Sequence, residues 1–145
     1  MVIRNILDRK TGEVVTCKKM CTVLECIRTM NDNKVGALVV VDEYGAVAGI
    51  ITERDILHLL DNEWGRLGEI SVGDIMTPSI ELITAKITDD VETIMEKMTN
   101  NTIRHIPVME NEKLIGIISI GDVVKAQLET AEAENESIKD YILKS

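Results

Sequence analysis

The sequence predicts an α+β fold, sandwich-like in its layering: two βαββα repeats packed about a pseudo-two-fold axis, followed by a C-terminal helix. Three observations carry this expectation. A short phrase occurs twice, as Gly49-Ile50-Ile51-Thr52-Glu53-Arg54-Asp55 and as Gly116-Ile117-Ile118-Ser119-Ile120-Gly121-Asp122. The pattern ahead of each phrase also repeats. Val14-Val15-Thr16-Cys17-Lys18 matches Leu82-Ile83-Thr84-Ala85-Lys86, and Met30 matches Met98, at one constant spacing. Finally, a repeat of this length buries too little surface to stand alone, so the two must share their burial.

Taken in order, Val2-Ile3 and Ile6-Leu7 form a short apolar patch, and Asp8 through Gly12 reads as a turn. Val14–Cys17 reads as a short strand. From Cys21 to Asn31 the apolar residues Val23, Cys26, Ile27 and Met30 fall at helical spacing, with Thr22 as a candidate cap. Gly36 through Val41 is a β-branched strand, Asp42-Glu43-Tyr44-Gly45 a hairpin turn, and Ala46–Thr52 the returning strand. A helix is expected from Glu53 to about Asp61, with Ile56, Leu57, Leu59 and Leu60 inward. Residues 63–71 read as a linker between a first repeat, 1–62, and a second, 72–127. Trp64 in that linker suits a covering residue. Val72-Gly73-Asp74-Ile75-Met76 then echoes Asn5-Ile6-Leu7. Asp89-Asp90 opens a helix with Val91, Ile94, Met95 and Met98 inward. Ile103–Met109 and Leu114–Ser119 are the two strands of the second hairpin, whose turn is one residue shorter than the first. Leu38 and Val40, with their counterparts Ile106 and Val108, are expected to be buried between the two sheets.

Composition excludes several functions. The formal net charge is −9, with no basic stripe, and Phe is absent with one Trp and two Tyr. Such a chain repels nucleic-acid backbones and offers no stacking platform for bases. No window approaches the ~20 apolar residues of a membrane span, and the N-terminus lacks a signal-peptide plan, so a cytoplasmic protein is expected. Cys17, Cys21 and Cys26 are odd in number and clustered, with no His beside them; they read as buried or half-buried thiols rather than a disulfide or zinc site. No Ser-His-Asp plan, metal motif or phosphate-binding Walker loop is present, and no catalytic residue or catalytic cofactor is expected.

The chemistry lies in the repeated phrase. A hydroxyl and a carboxylate where a strand turns into a helix make a polar corner at a helix N-terminus, a setting that suits anions and sugars. The plainer reading is that Thr52 and Ser119 merely cap helices, and that Asp55 and Asp122 are ordinary first-turn acids. Arg54, Arg104 and His105 are the best local cations, with Lys34 behind them.

In the doubled Gly-x-x-Ser/Thr-x-x-Asp phrase, the doubled Asp/Asn-Ile-Met/Leu opening, the Arg104-His105-Ile106-Pro107-Val108 strand and the repeat length, the chain resembles a pair of cystathionine-β-synthase (CBS) domains, the two-repeat Bateman module. The resemblance covers about Val2 to Lys125. It implies a non-catalytic sensor used in signal transduction, with an adenine nucleotide (AMP first, with ADP, ATP or NAD as alternatives) in the clefts between repeats. Carried over by position, Asp55 and Asp122 would hold the ribose and Thr52 and Ser119 would face phosphate. Thr16 and Thr84, with Val35-Gly36-Ala37 and with Ile103, Arg104, His105 and Pro107, would flank the base. The two repeats differ where Gly36-Ala37 stands against Arg104-His105 and Glu53-Arg54 against Ile120-Gly121, so the clefts need not be equivalent.

After Val124 a helix is expected to run to the C-terminus, with residues 128–145 as an extension. Val124, Leu128, Ala131, Asn135, Ile138 and Ile142 form a heptad seam with one polar core position. A homodimer is expected by this route and by resemblance. The alternative function is a dimerisation or interaction module that regulates a partner protein with its clefts empty.

Overall fold

In a computed structural model of the chain, residues 1–10 and 13–144 are described, without the side chains of Trp64 and Lys144. The covering role expected of Trp64, and Thr11-Gly12 of the first turn, lie outside the described residues. Helix α1 spans Ile3–Arg9, so that turn begins later than its sequence suggests.

The first repeat contains β1 (Thr16–Lys18), α2 (Val23–Asn33), β2 (Ala37–Val41), β3 (Val47–Thr52) and α3 (Glu53–Glu63). Strand β1 lies parallel to β2, and β2 antiparallel to β3. After a 3₁₀ turn come α4 (Val72–Ile75) and β4 (Thr77–Pro78), which adds to the far edge of β3. The second repeat has α5 (Val91–Asn101), the hairpin β5 (His105–Glu110) and β6 (Lys113–Ser119), and α6 (Ile120–Lys144). Its first strand shrinks to one bridge, Ala85 beside Val108. That bridge is the counterpart of Cys17 beside Val40, so the parallel pairing survives where the strand does not.

The helices form for local reasons. Thr22 caps α2 in a full capping box: its Oγ1 accepts from the Glu25 amide at 3.1 Å, and Glu25 Oε2 accepts from the Thr22 amide at 3.1 Å. Asp90 caps α5 by accepting from the Thr93 amide at 2.8 Å. Both helices end in a left-handed residue, Lys34 at φ 55° and Thr102 at φ 53°.

Two separate cores result, and neither belongs to one repeat. Ile3 and Ile6 of α1, which opens the first repeat, are buried with Ile94, Met98, Ile106, Val108, Ile118 and Val123 of the second. Val72 of α4, which opens the second, is buried with Val23, Cys26, Met30, Leu38, Val40, Ile51 and Ile56 of the first. The backbone repeats the exchange. The Val23 amide donates to Ile70 O, and the Val91 amide to Met1 O, both at 2.9 Å. Val2 bridges Asp90 and Ser71 bridges Thr22.

This corrects one expectation. Leu38, Val40, Ile106 and Val108 are fully buried, but they face their own helices in two cores rather than each other between sheets. Ala37, Val39 and Ile50 are buried as well. Strand β2 is thus apolar on both faces, and a run without alternation does not announce which face meets the helices. Leu57 and Met95 were also expected inward, yet they are 67% and 40% exposed. The stripe on each helix is narrower than its apolar residues suggest. Cys17 and Cys26 are buried free thiols and Cys21 is half-buried. A hydrogen bond with Cys26, together with burial, pushes the Cys17 thiol well above its ordinary range, so it stays protonated.

The strand glycines of the doubled phrase sit where the exchanged segments press closest. A Cβ at Gly49 would fall against the carbonyl oxygen of Thr77, with Met76 Sδ at 2.9 Å; one at Gly116 would meet Leu7 Cδ2 at 2.5 Å. Backbone cannot rotate away, whereas a leucine side chain can. Gly49→Ala is therefore expected to cost more than Gly116→Ala, about 1–3 kcal/mol for the former as overpacking does. Urea unfolding of the two variants checks the order.

Candidate functional site

Each copy of the phrase folds into the same corner. At the β3–α3 junction, Asp55 Oδ2 accepts from the Thr52 amide at 2.9 Å and from Thr52 Oγ1 at 3.2 Å, and the Asp55 amide donates to Thr52 Oγ1 at 3.4 Å. At the β6–α6 junction, Asp122 Oδ2 accepts from the Ser119 amide at 2.9 Å, and the Asp122 amide donates to Ser119 Oγ at 3.1 Å. These are capping boxes with Asp in the third helical position. The plain capping role is thus real, and it uses one carboxylate oxygen, Oδ2. Both Asp side chains stay half-buried.

The corners have different neighbours. Asp122 Oδ2 also accepts from Lys10 Nζ at 2.8 Å, and Lys10 Nζ donates to Ile117 O at 2.8 Å. Burial alone would raise the Asp122 pKa; the Lys10 ammonium and the Ser119 amide outweigh it and hold the carboxyl below the usual range. Among the described residues Asp55 has no such cation, and it lines a shallow hollow of about 520 Å³ with His58, Leu59, Asn62, Glu63 and Ile75. Lys10 gave no signal in the sequence. It lies in the opening segment of the first repeat but acts on the second, through the exchange of α1.

The remaining candidates divide. His105 stands opposite Ser119 on the hairpin, as Ala37 stands opposite Thr52. It is half-buried and under the influence of Glu53, Lys10, Asp122 and Arg104. Gly36 brings the repeats together: a Cβ there would lie 2.5 Å from Glu53 Oε1 and 3.5 Å from His105 Cε1. Gly36, Glu53, Arg104, His105, Lys10, Ser119 and Asp122 thus make one mixed-charge group across the repeats. Arg54 reaches across as well, donating to Thr102 O at 3.0 Å, so its guanidinium ties α3 to the end of α5. Lys34 is exposed at the end of α2. Val35 and Ile103 pack against the two cores, and Pro107 is buried in β5. Thr16 and Thr84 are exposed, and Thr84 O accepts from Lys97 Nζ at 2.8 Å. Among the described residues no His, Cys, Asp and Glu cluster would hold a metal ion.

A family model, the CBS domain, matches residues 3–62 and 72–129. The chain belongs to the CBS-domain family. The pair is 41% identical over 133 residues to the mitochondrial CBS domain-containing protein CBSX3 of Arabidopsis thaliana, covering 90% of this chain and 65% of that one. It is 30% identical over 129 residues to YhcV of Bacillus subtilis, covering 89% of each. Among solved structures, the CBS-domain protein ATU1752 of Agrobacterium tumefaciens superposes with a TM-score of 0.83 at 39% identity, covering 87% of this chain and 92% of that one. PAE2072 of Pyrobaculum aerophilum, in complex with AMP, gives 0.73 at 26% identity over 84% of this chain and 89% of that one. The expected α+β repeat architecture and the resemblance both hold. CBS pairs are generally regulatory rather than catalytic modules.

Burial, aided by Lys10 and Arg104 and opposed by Glu53 and Asp122, lowers the His105 pKa. The folded CBS pair therefore favours neutral imidazole, while the unfolded chain titrates near the ordinary value of about 6.5. Stability from this group is complete above that value and falls as pH drops through it toward the lower folded pKa. His105→Gln is expected to flatten the loss of stability between about pH 7 and 5, as read by melting temperature against pH.

Proposed function

We propose that this CBS pair is a non-catalytic regulatory module that binds an adenine nucleotide between its repeats, AMP ahead of ADP, ATP or NAD. The observation that carries the reading is the doubled corner. In each, the capping box occupies Oδ2 of a half-buried Asp, so the second carboxylate oxygen, Oδ1, is available to accept from a ribose hydroxyl. Thr52 and Ser119, with the helix-start amides after them, suit a phosphate. Arg104 and Lys10 supply positive charge in a chain whose net charge is −9, with the neutral His105 imidazole beside them as a hydrogen-bonding group. Gly36, Ala37 and Pro107, with the backbone of Val35 and Ile103 and the strand starts at Thr16 and Thr84, frame the base. Arg54 and Lys34 stand at the rim. The AMP complex of PAE2072 supports the ligand class.

The module works by population shift. Ligand favours one arrangement of the repeats only to the extent that it binds that arrangement more tightly. The arrangement is readable at α6, whose first turn is the Asp122 corner.

Isothermal titration with AMP, ATP and NAD tests the reading. Heat and a raised melting temperature are expected for at least one of them, and neither at millimolar ligand would overturn it. Losing a charged hydrogen-bond partner costs about 1.5–3 kcal/mol, so Asp122→Ala is expected to weaken binding roughly tenfold to a hundredfold. An unchanged affinity removes Asp122 from the site.

A further inference from the structure

Helix α6 runs 25 residues, far beyond the fold it caps; at 1.5 Å per residue it is about 37 Å long. Its first turns are anchored. Val123 and Ala126 are buried, Glu129 pairs with Arg9 of α1, and Thr130 is half-buried. From Ala131 to Leu143 every side chain is exposed. The heptad seam turns largely from the body, although Ile138 edges an open hollow with Met1, Arg9 and Glu134. Val124, Leu128 and Ile138 are 50%, 58% and 59% exposed, and at 100° per residue the seam lies well over 90° round the helix from the anchored edge. An exposed apolar seam on a long helix is the feature a second helix covers.

We infer that this seam pairs with the same seam of a second copy of the chain, as a parallel two-helix coiled coil. The charges beside the seam select both the occupant and its direction. The 4-3-4-3-4 spacing puts Leu128, Asn135 and Ile142 at one core position of the heptad, and Val124, Ala131 and Ile138 at the other. Lys125, Glu132 and Lys139 flank it on one side, and Gln127, Glu134 and Tyr141 on the other. In a parallel pair, Glu134 meets Lys139 of the partner subunit, twice by symmetry. An antiparallel pair that keeps all six seam residues in contact sets Glu132 against Glu132 of the partner subunit, Glu134 against Glu134 of the partner subunit, and Lys125 against Lys139 of the partner subunit. Every such pair is like-charged, which disfavours that direction. Only the parallel register also places Asn135 opposite Asn135 of the partner subunit, where two amides hydrogen-bond and specify register at some loss of stability.

The parallel arrangement has a structural consequence. The two-fold axis runs along α6, so both Asp122 corners lie at one end of the coiled coil. Each corner is the first turn of the helix that forms the interface.

Sedimentation equilibrium of the full chain tests this, with circular dichroism to show that each variant folds. A concentration-dependent dimer is expected. Leu128→Glu with Ile138→Glu should weaken it by at least about a hundredfold, because carboxylates would be desolvated without partners. Glu134→Lys and Lys139→Glu should each weaken it, and the two combined should restore it. Residues 134 and 139 do not face each other within one helix, so recovery reports contact between chains. A chain that stays monomeric, a dimer indifferent to the double glutamate variant, or a charge swap without recovery would each overturn the proposal.

Discussion

The structure depends on an exchange: the segment that opens each repeat completes the other. Without α1 the second core lacks Ile3 and Ile6, and without α4 the first lacks Val72. The exchange also closes a polar account. The first amides of a helix have no partner within it, and the Val23 amide finds Ile70 O while the Val91 amide finds Met1 O. Separating the repeats would expose apolar side chains and strip acceptors from two helix starts at once. At this size neither half could absorb both losses. The two polar corners thereby belong to one interlocked body.

The same geometry explains how a corner can both build the fold and remain chemically open. A carboxylate has two oxygens, and a capping box needs only one. Asp55 and Asp122 spend Oδ2 on the backbone amide of the preceding hydroxyl residue. A Glu in that position would have an extra methylene to place. An Asn would bring an amide that donates where the second oxygen accepts.

Much of this was legible because the chain states it twice. Constant spacing matched Cys17 with Ala85 and Val40 with Val108, and those residues occupy equivalent places, although only one pair lies in a proper strand. What the residue pattern could not convey was connectivity between the halves. Repetition shows that two units exist, not that Ile3 serves the later one. Lys10 escaped for that reason: its partner Asp122 lies more than a hundred residues away. Helix faces were over-read at Leu57 and Met95 because an apolar residue at the edge of a stripe satisfies the periodicity whether or not anything covers it. The facing of Leu38 and Val40 on β2 was misassigned for the opposite reason, since burial on both faces leaves no alternation to read.

Exchange also breaks the symmetry it rests on. By the spacing that relates Ile3 to Val72, Lys10 corresponds to Ser79, which is exposed and forms no ion pair among those described. Among the described residues, therefore, one acidic corner carries its own counter-ion and the other does not. A hydroxyl that binds Asp122 shares that carboxylate with an ammonium, whereas one that binds Asp55 has it undivided. For a neutral group the undivided carboxylate is the stronger acceptor. For a group bearing phosphate, the corner whose charge is already balanced repels less. Two corners built from one repeated phrase thus differ in charge through a single residue outside the phrase.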